Sequence, residues 1–282
     1  LLSECVKFDN YELGSWNKVL VYEYLGHIYR IKQDYQSLHN ALSMRLNSAI
    51  EFFSLTLASM TSMQRATFWG VDNDFLERVS RVVLDDKGIA DVAYDTALFQ
   101  KNFLLRFSAN IHKNILLSDD RLLKEIYYKY KIAQRDNNEN VGDIETYLME
   151  LYSLSKDINT IGNLKRWRDV QKKLSSSDLA IEFTVCYKED SNSYAALLLK
   201  KDWDSPKMIE LCEESELIRI MSEGVGLYKE NDEAYSCIWK KLEPYFKKGD
   251  NIYFAPHGLI HQLNIEVLCG ADGKPMNKKC NL

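Results

Sequence analysis

The first 205 residues contain no proline; Pro206, Pro244, Pro256 and Pro275 all lie in the last third of the chain. Proline breaks interior helix hydrogen bonds, so its absence leaves that stretch free to form long helices. Long apolar runs are missing too. One of the longest, Tyr194–Leu199, is far too short to span a bilayer, and no membrane partner is expected. The six cysteines, at 5, 186, 212, 237, 269 and 280, form no CxxC pair. Their spacings suit neither a zinc site nor a small disulfide scaffold, so reduced, mostly buried thiols in a cytoplasmic protein are expected. Positive charge is in short supply: 36 Lys and Arg against 41 Asp and Glu leave a net charge of −5. That argues against broad nucleic-acid binding, which needs a basic surface to displace phosphate counterions. GxSxG, Walker A and GxGxxG loops are all absent, and Gly224-x-Gly226 lacks the third glycine and a preceding strand, so it reads as a helix end or turn. The opening residues carry no signal-peptide pattern.

What the sequence does hold is apolar and aromatic material: 46% hydrophobic residues, with 17 Tyr, 11 Phe and 5 Trp in 282 residues. That is enough for a large core in one big domain or two ordinary ones. Three- and four-residue apolar spacing predicts helices over Trp16–Tyr29, Gln36–Leu57, Ala93–Leu116, Asp120–Ile132 and Asp143–Leu174. Tyr22, Leu25, Gly26, Tyr29 and Tyr35 match the spacing of a tetratricopeptide first helix, although Leu38 stands where a small alanine is usual.

The pattern changes after Ser175–Asp178. Leu179–Tyr187 alternates with period two, and Tyr194–Leu199 is apolar throughout, so two strands are expected as an antiparallel hairpin, the second covered on both faces. Helices return over Glu213–Leu227 and Asp232–Phe246, with Pro244 kinking the second and Gly249 ending it. Ile252–Leu268 then reads as a buried strand, a tight Pro256-His257-Gly258 turn and a return segment. A helix feeding a buried strand predicts a three-layer α/β arrangement. Few residues follow to complete that sheet, so the chain is expected to be the front part of something larger.

Candidate chemistry is sparse. His257 and His261 are four apart, as in an HxxxH metal pair, but a Pro–Gly turn surrounds the first. Cys186 or Cys269 could pair with His257 as a nucleophilic dyad. Cys186 sits mid-strand, and Cys269 precedes a glycine-containing turn. Glu182 falls on a covered strand face, where an Arg or a backbone amide is its expected partner. Arg166, Arg168, Lys172 and Lys173 around Trp167 could touch nucleic acid, but a solvated helix face anchored by the indole explains them better. No catalytic residue, metal ligand or cofactor contact is assigned within residues 1–282.

In order along the chain, several segments resemble the CHAT domain, a caspase-like cysteine peptidase domain that follows tetratricopeptide repeats. They are Phe52, Leu55, Leu57, Arg65, Phe68 and Trp69; Tyr94-Asp95-Thr96-Ala97-Leu98-Phe99-Gln100-Lys101 with Leu104 and Leu105; and Trp167-x-x-Val170-Gln171-x-x-Leu174. Asp178-Leu179-Ala180-Ile181-Glu182-Phe183, Tyr194-x-Ala196-Leu197 and Tyr235-x-x-Ile238-Trp239-x-x-Leu242 follow. Ile252-Tyr253-Phe254-x-Pro256-x-Gly258, with His261 and Glu266, completes the set. The resemblance implies a mainly parallel sheet flanked by helices and a cysteine endopeptidase acting on protein substrates. It also implies a catalytic histidine in an HxATHG-like motif and a cysteine in an SAC-x-TG-like motif, each after a later strand. Neither motif occurs in residues 1–282.

The expected fold class is therefore α/β with a large all-α amino-terminal part: a tetratricopeptide-like array, then the first part of a caspase-like three-layer domain. The expected segments are 1–50 as degenerate repeat helices, 51–175 as a helical region and 176–282 as the start of the α/β domain. The helices would bind a regulatory protein, and the reactive groups would lie past Leu282. The alternatives are a non-enzymatic helical interaction module with an α/β cap, and a metal-dependent hydrolase built on His257 and His261.

Overall fold

The computed structural model describes residues 14–72, 74–155, 164–188, 191–228 and 233–282. The chain is mostly helical, with a small four-stranded mixed sheet, and no described helix is long and apolar enough to cross a membrane. Two compact units share it: residues 1–74 with 99–164, and residues 75–98 with 165–282.

The first unit contains α1 (Ser15–Ile31), α2 (Tyr35–Thr56), α3 (Ser62–Asp72), most of α5 (Ala90–Leu117), α6 (Arg121–Arg135) and α7 (Val141–Leu154). The helix starts are set by local chemistry. Asp34 accepts from the Ser37 amide at 3.1 Å and Asp120 from the Leu123 amide at 3.1 Å, each satisfying a first-turn N–H. α1 packs on α2 as an antiparallel pair with Gly26 against Leu38 and Leu42; a methyl at Gly26 would meet both at an ordinary 3.7 Å. An aromatic cluster fills the core of this unit. Phe53 is fully buried, with Trp69 at 4.9 Å, Phe99 at 6.2 Å and Phe103 at 6.4 Å between ring centroids. Arg65 is also buried in this unit, donating to the Met60 carbonyl at 2.6 Å and pairing with Glu145 at 4.0 Å.

The expected helix over Asp143–Leu174 is not continuous. α7 ends at Leu154, where Ser155 turns extended and its hydroxyl donates to the Tyr152 carbonyl at 2.8 Å. A separate short helix, α8 (Trp167–Gln171), begins where Asp169 accepts from the Arg166 amide.

The second unit holds α4 (Asp74–Asp85) from Phe75 onward, the first turns of α5, α8 and the four described strands. The sheet order is β3-β2-β1-β4, with β1 Asp178–Cys186, β2 Ser193–Leu199, β3 Lys207–Glu213 and β4 Asn251–Ala255. The expected hairpin is present: β1 runs antiparallel to β2, with Ile181 opposite Leu198 and Phe183 opposite Ala196. β4 lies parallel to β1, with Asp178 opposite Asn251 and Glu182 opposite Ala255.

β3 was not expected. Its burial follows no clean alternation, and its pairing with β2 carries a register irregularity near Ser193–Ala195, so period-two reasoning passes over it. The helix after it is α9 (Glu214–Met221). The expected helix over Asp232–Phe246 is α10 (Glu233–Ile238), which tightens into a 3₁₀ segment, Lys240–Tyr245, containing Pro244.

Both faces of β1 are buried, as the sheet layering requires. Leu179, Ile181, Phe183 and Val185 join a core with Leu217 and Ile220 of α9 and with Tyr235, Ile238, Trp239 and Leu242. On the opposite face Thr184 shares a hydrogen bond with Ser80 of α4 at 3.0 Å, and Cys186 lies 3.6 Å from the Ser80 carbonyl. Burying the apolar faces against helices removes their side chains from water, each worth about 1.5–3 kcal/mol.

One expectation about the thiols is overturned. Cys212 of β3 and Cys237 of α10 are joined as a disulfide, with 5.4 Å between their Cα atoms. Their 25-residue separation hid this from spacing rules, because the fold returns α10 onto β3.

Candidate functional site

In open α/β sheets, ligands gather beyond the carboxyl ends of the parallel strands. Here β4 leads directly into the Pro256-His257-Gly258 turn. Gly258 adopts φ +53, and a Cβ there would stand 2.5 Å from the Tyr194 hydroxyl. Only glycine combines that left-handed backbone with so close an approach. The Leu259 amide donates to the same hydroxyl at 2.8 Å. Tyr194 lies on β2 and is 1% exposed, so the turn is fastened to the sheet by a rigid, buried phenol. Farther along, the Trp239 indole donates to the Ile265 carbonyl at 2.8 Å and fixes the return segment.

The structure does not stack the two histidines on one helical face. His257 has extended backbone, φ −145 and ψ 146, and stands just before the 3₁₀ segment Gly258–Gln262 that contains His261. A 3₁₀ turn repeats every three residues, so the i, i+4 face of an α-helix does not exist there. His261 and Glu266 are exposed, and among the described residues no group of three or more metal-competent side chains includes either histidine.

Neither candidate thiol is set up for attack. Cys186 is fully buried, and burial pushes its thiol up to about 12, which leaves essentially no thiolate at neutral pH. Cys269 is partly exposed, but its sulfur donates to the Val267 carbonyl at 3.6 Å rather than to an imidazole. The backbone bridge from Cys269 to Pro275 holds that turn closed.

Glu182 is buried on the face of β1 that meets α5, close enough to Tyr94 to add to the burial that pushes the Tyr94 phenol well above its usual range. The two arginines of the basic stretch are tied down within the chain. The Arg168 guanidinium stacks 3.8 Å from the Trp167 ring centre and donates to the Asp204 carbonyl at 3.1 Å. Arg166 pairs with Asp95 at 3.4 Å, and Trp167 is 7% exposed. Trp167 is thus the apolar anchor of a structural helix.

Sequence reasoning passed over Asp95. Its carboxylate accepts the Trp167 amide at 2.6 Å and the Arg166 guanidinium. Burial outweighs both partners and raises its pKa to about 6. It also missed Tyr194 as the clamp of the turn; a buried tyrosine opposite a glycine two strands away has no local signature. No known protein family matches the chain, and no curated protein matches it.

Proposed function

We propose that residues 1–282 form the helical region and the first part of the peptidase domain of a CHAT-type cysteine endopeptidase. In this reading the catalytic histidine and cysteine belong to polypeptide outside these residues. The thiolate attacks a peptide carbonyl, the histidine manages the leaving-group proton, and backbone amides hold the oxyanion. The observation that carries the reading is the order β3-β2-β1-β4, a meander followed by a helical connection to a parallel strand that forms one border of the sheet. A parallel border strand is where an α/β sheet of this kind grows. The Ile252 amide faces away from β1 and donates to Asn281 at 2.7 Å, while Tyr253 farther along β4 is 58% exposed. The rigid Tyr194–Gly258 turn would sit at the floor of the assembled site.

The helices then serve as a protein-binding platform. A surface groove on the α1–α2 pair, lined by Tyr22, Leu25, Tyr29, Asn40 and Met44, suits a peptide segment. That groove alone favours a second reading, a non-enzymatic interaction module with an α/β cap.

The test is to express the chain with whatever residues its gene encodes after Leu282 and to assay both forms on peptide substrates. The proposal expects cleavage only from the extended form, lost when the cysteine following the next two strands is changed to alanine. A stop codon directly after Leu282 would refute it. So would cleavage by the 282-residue chain that Cys269→Ala or Cys186→Ala abolishes.

A further inference from the structure

We infer that Cys212, Cys237 and Glu216 form a thiol-dependent binding site for a borderline-soft divalent cation of the Zn²⁺ class, open to metal only when the disulfide is reduced. The inference is independent of the peptidase reading. Three elements converge at this point. Cys212 lies near the end of β3, Glu216 in the first turn of α9 and Cys237 in α10. The two sulfurs and a Glu216 carboxylate oxygen all lie within 4.8 Å of one another. A tetrahedral zinc site with bonds of about 2.3 Å to sulfur and about 2.0–2.2 Å to oxygen places its ligand atoms about 3.5–3.8 Å apart. Opening the disulfide therefore needs only a short separation of the two sulfurs to reach that spacing.

Burial and charge fit the same use. Cys212 is 8% exposed and Cys237 4% exposed, whereas Glu216 faces solvent. The carboxylate can meet a cation at the surface and hand it to the sulfurs behind. Glu213, Glu214, Glu223 and Glu233 add negative charge on and around α9. Of the nearby cations, Arg219 is engaged by Glu223 and Glu233, and Lys241 donates to the Leu211 carbonyl. A softer metal is selected because two of the three ligands are thiolates.

The chemistry balances in two steps. A dithiol reductant gives two electrons and two protons to the Cys212–Cys237 bond, yielding two thiols while the reductant closes to its own disulfide. The metal ion then displaces both thiol protons to solvent, forming two metal–sulfur bonds and one metal–oxygen bond to Glu216. Water fills the fourth position.

The experiment is a Co²⁺ titration of the full 282-residue chain, anaerobically, in reduced and oxidised forms. Thiol counting verifies the redox state. The reduced protein should bind one Co²⁺ with a thiolate-to-metal charge-transfer band that Zn²⁺ displaces, and the oxidised protein should show no such band. Glu216→Gln, at an exposed position that leaves both cysteines in place, should fold as the parent and bind at least about tenfold more weakly. Cys237→Ser should abolish the band. Cys269→Ser combined with Cys5→Ser, whose residue 5 lies outside the described residues, should retain it. The inference fails if the verified dithiol form gives no thiolate band, if Glu216→Gln binds as the parent does, or if the band needs Cys5 or Cys269.

Discussion

Replacing Gly258 by alanine tests the link between β2 and the turn after β4. Two separable costs are expected. A residue with a Cβ at φ +53 pays about 1–2 kcal/mol for the left-handed backbone. The new Cβ also lies 2.5 Å from the Tyr194 hydroxyl, which must retreat and give up the Leu259 amide it holds at 2.8 Å. Leaving that partly buried donor unsatisfied costs about 1–3 kcal/mol. The sum is a loss of about 2–5 kcal/mol, read by urea denaturation with tryptophan fluorescence and far-UV circular dichroism. Tyr194→Phe removes the offending oxygen, and the nearest remaining atom, the ring Cζ, is then at an ordinary 3.4 Å. Gly258→Ala should therefore cost only the backbone share in that background, giving a coupling energy of about 1–3 kcal/mol in the double-mutant cycle. Equal losses in the two backgrounds would show that the phenol does not clamp the turn.

Two further outcomes follow from buried titratable groups. Asp95 has its folded pKa raised to about 6 by burial, above an unfolded value of about 4, so between those values the native state holds the proton more tightly. That contribution is present below about pH 4 and is lost as pH rises through about 6. The stability of Asp95→Asn relative to the parent should thus improve by up to about 3 kcal/mol from pH 4 to pH 7, measured by denaturation across that range. A pH-independent difference would remove Asp95 from the account. Second, iodoacetamide at pH 8 should label Cys269 in the native protein and leave Cys186 unmodified until unfolding, read by peptide mass spectrometry. Cys186 has its thiol pushed up to about 12 beneath α4. Rapid native labelling of Cys186 would contradict its burial.

The parts of the fold that were legible are those where one physical pattern dominated. The period-two run from Leu179 and the continuous apolar run from Tyr194 gave β1 and β2 because a strand buried on both faces leaves a dense apolar signature. Leu104, Ile111 and Ile115 repeated at helical spacing and α5 followed. β3 was invisible because its partner strand carries a register irregularity and its own residues alternate poorly. The break after Leu154 was invisible because a serine hydroxyl turning back on the Tyr152 carbonyl is a local competition that apolar spacing does not report. Of the site, the turn at Pro256–Gly258 was readable from its residue types. Its tether to Tyr194 and the meeting of Cys212, Glu216 and Cys237 depend on contacts 65 and 25 residues apart along the chain. Long-range closures of this kind leave no trace in local composition.

The polar face of β1 has a practical meaning for anyone who would excise the sheet-bearing unit. Thr184 and Cys186 are roofed by Ser80, so the cover of this face comes from a residue encoded some hundred positions upstream of the strand it protects. A recombinant piece starting after residue 98 would uncover a carboxylate, a hydroxyl and a thiol along a bare strand surface. Expression boundaries drawn ahead of Phe75 keep that roof in place.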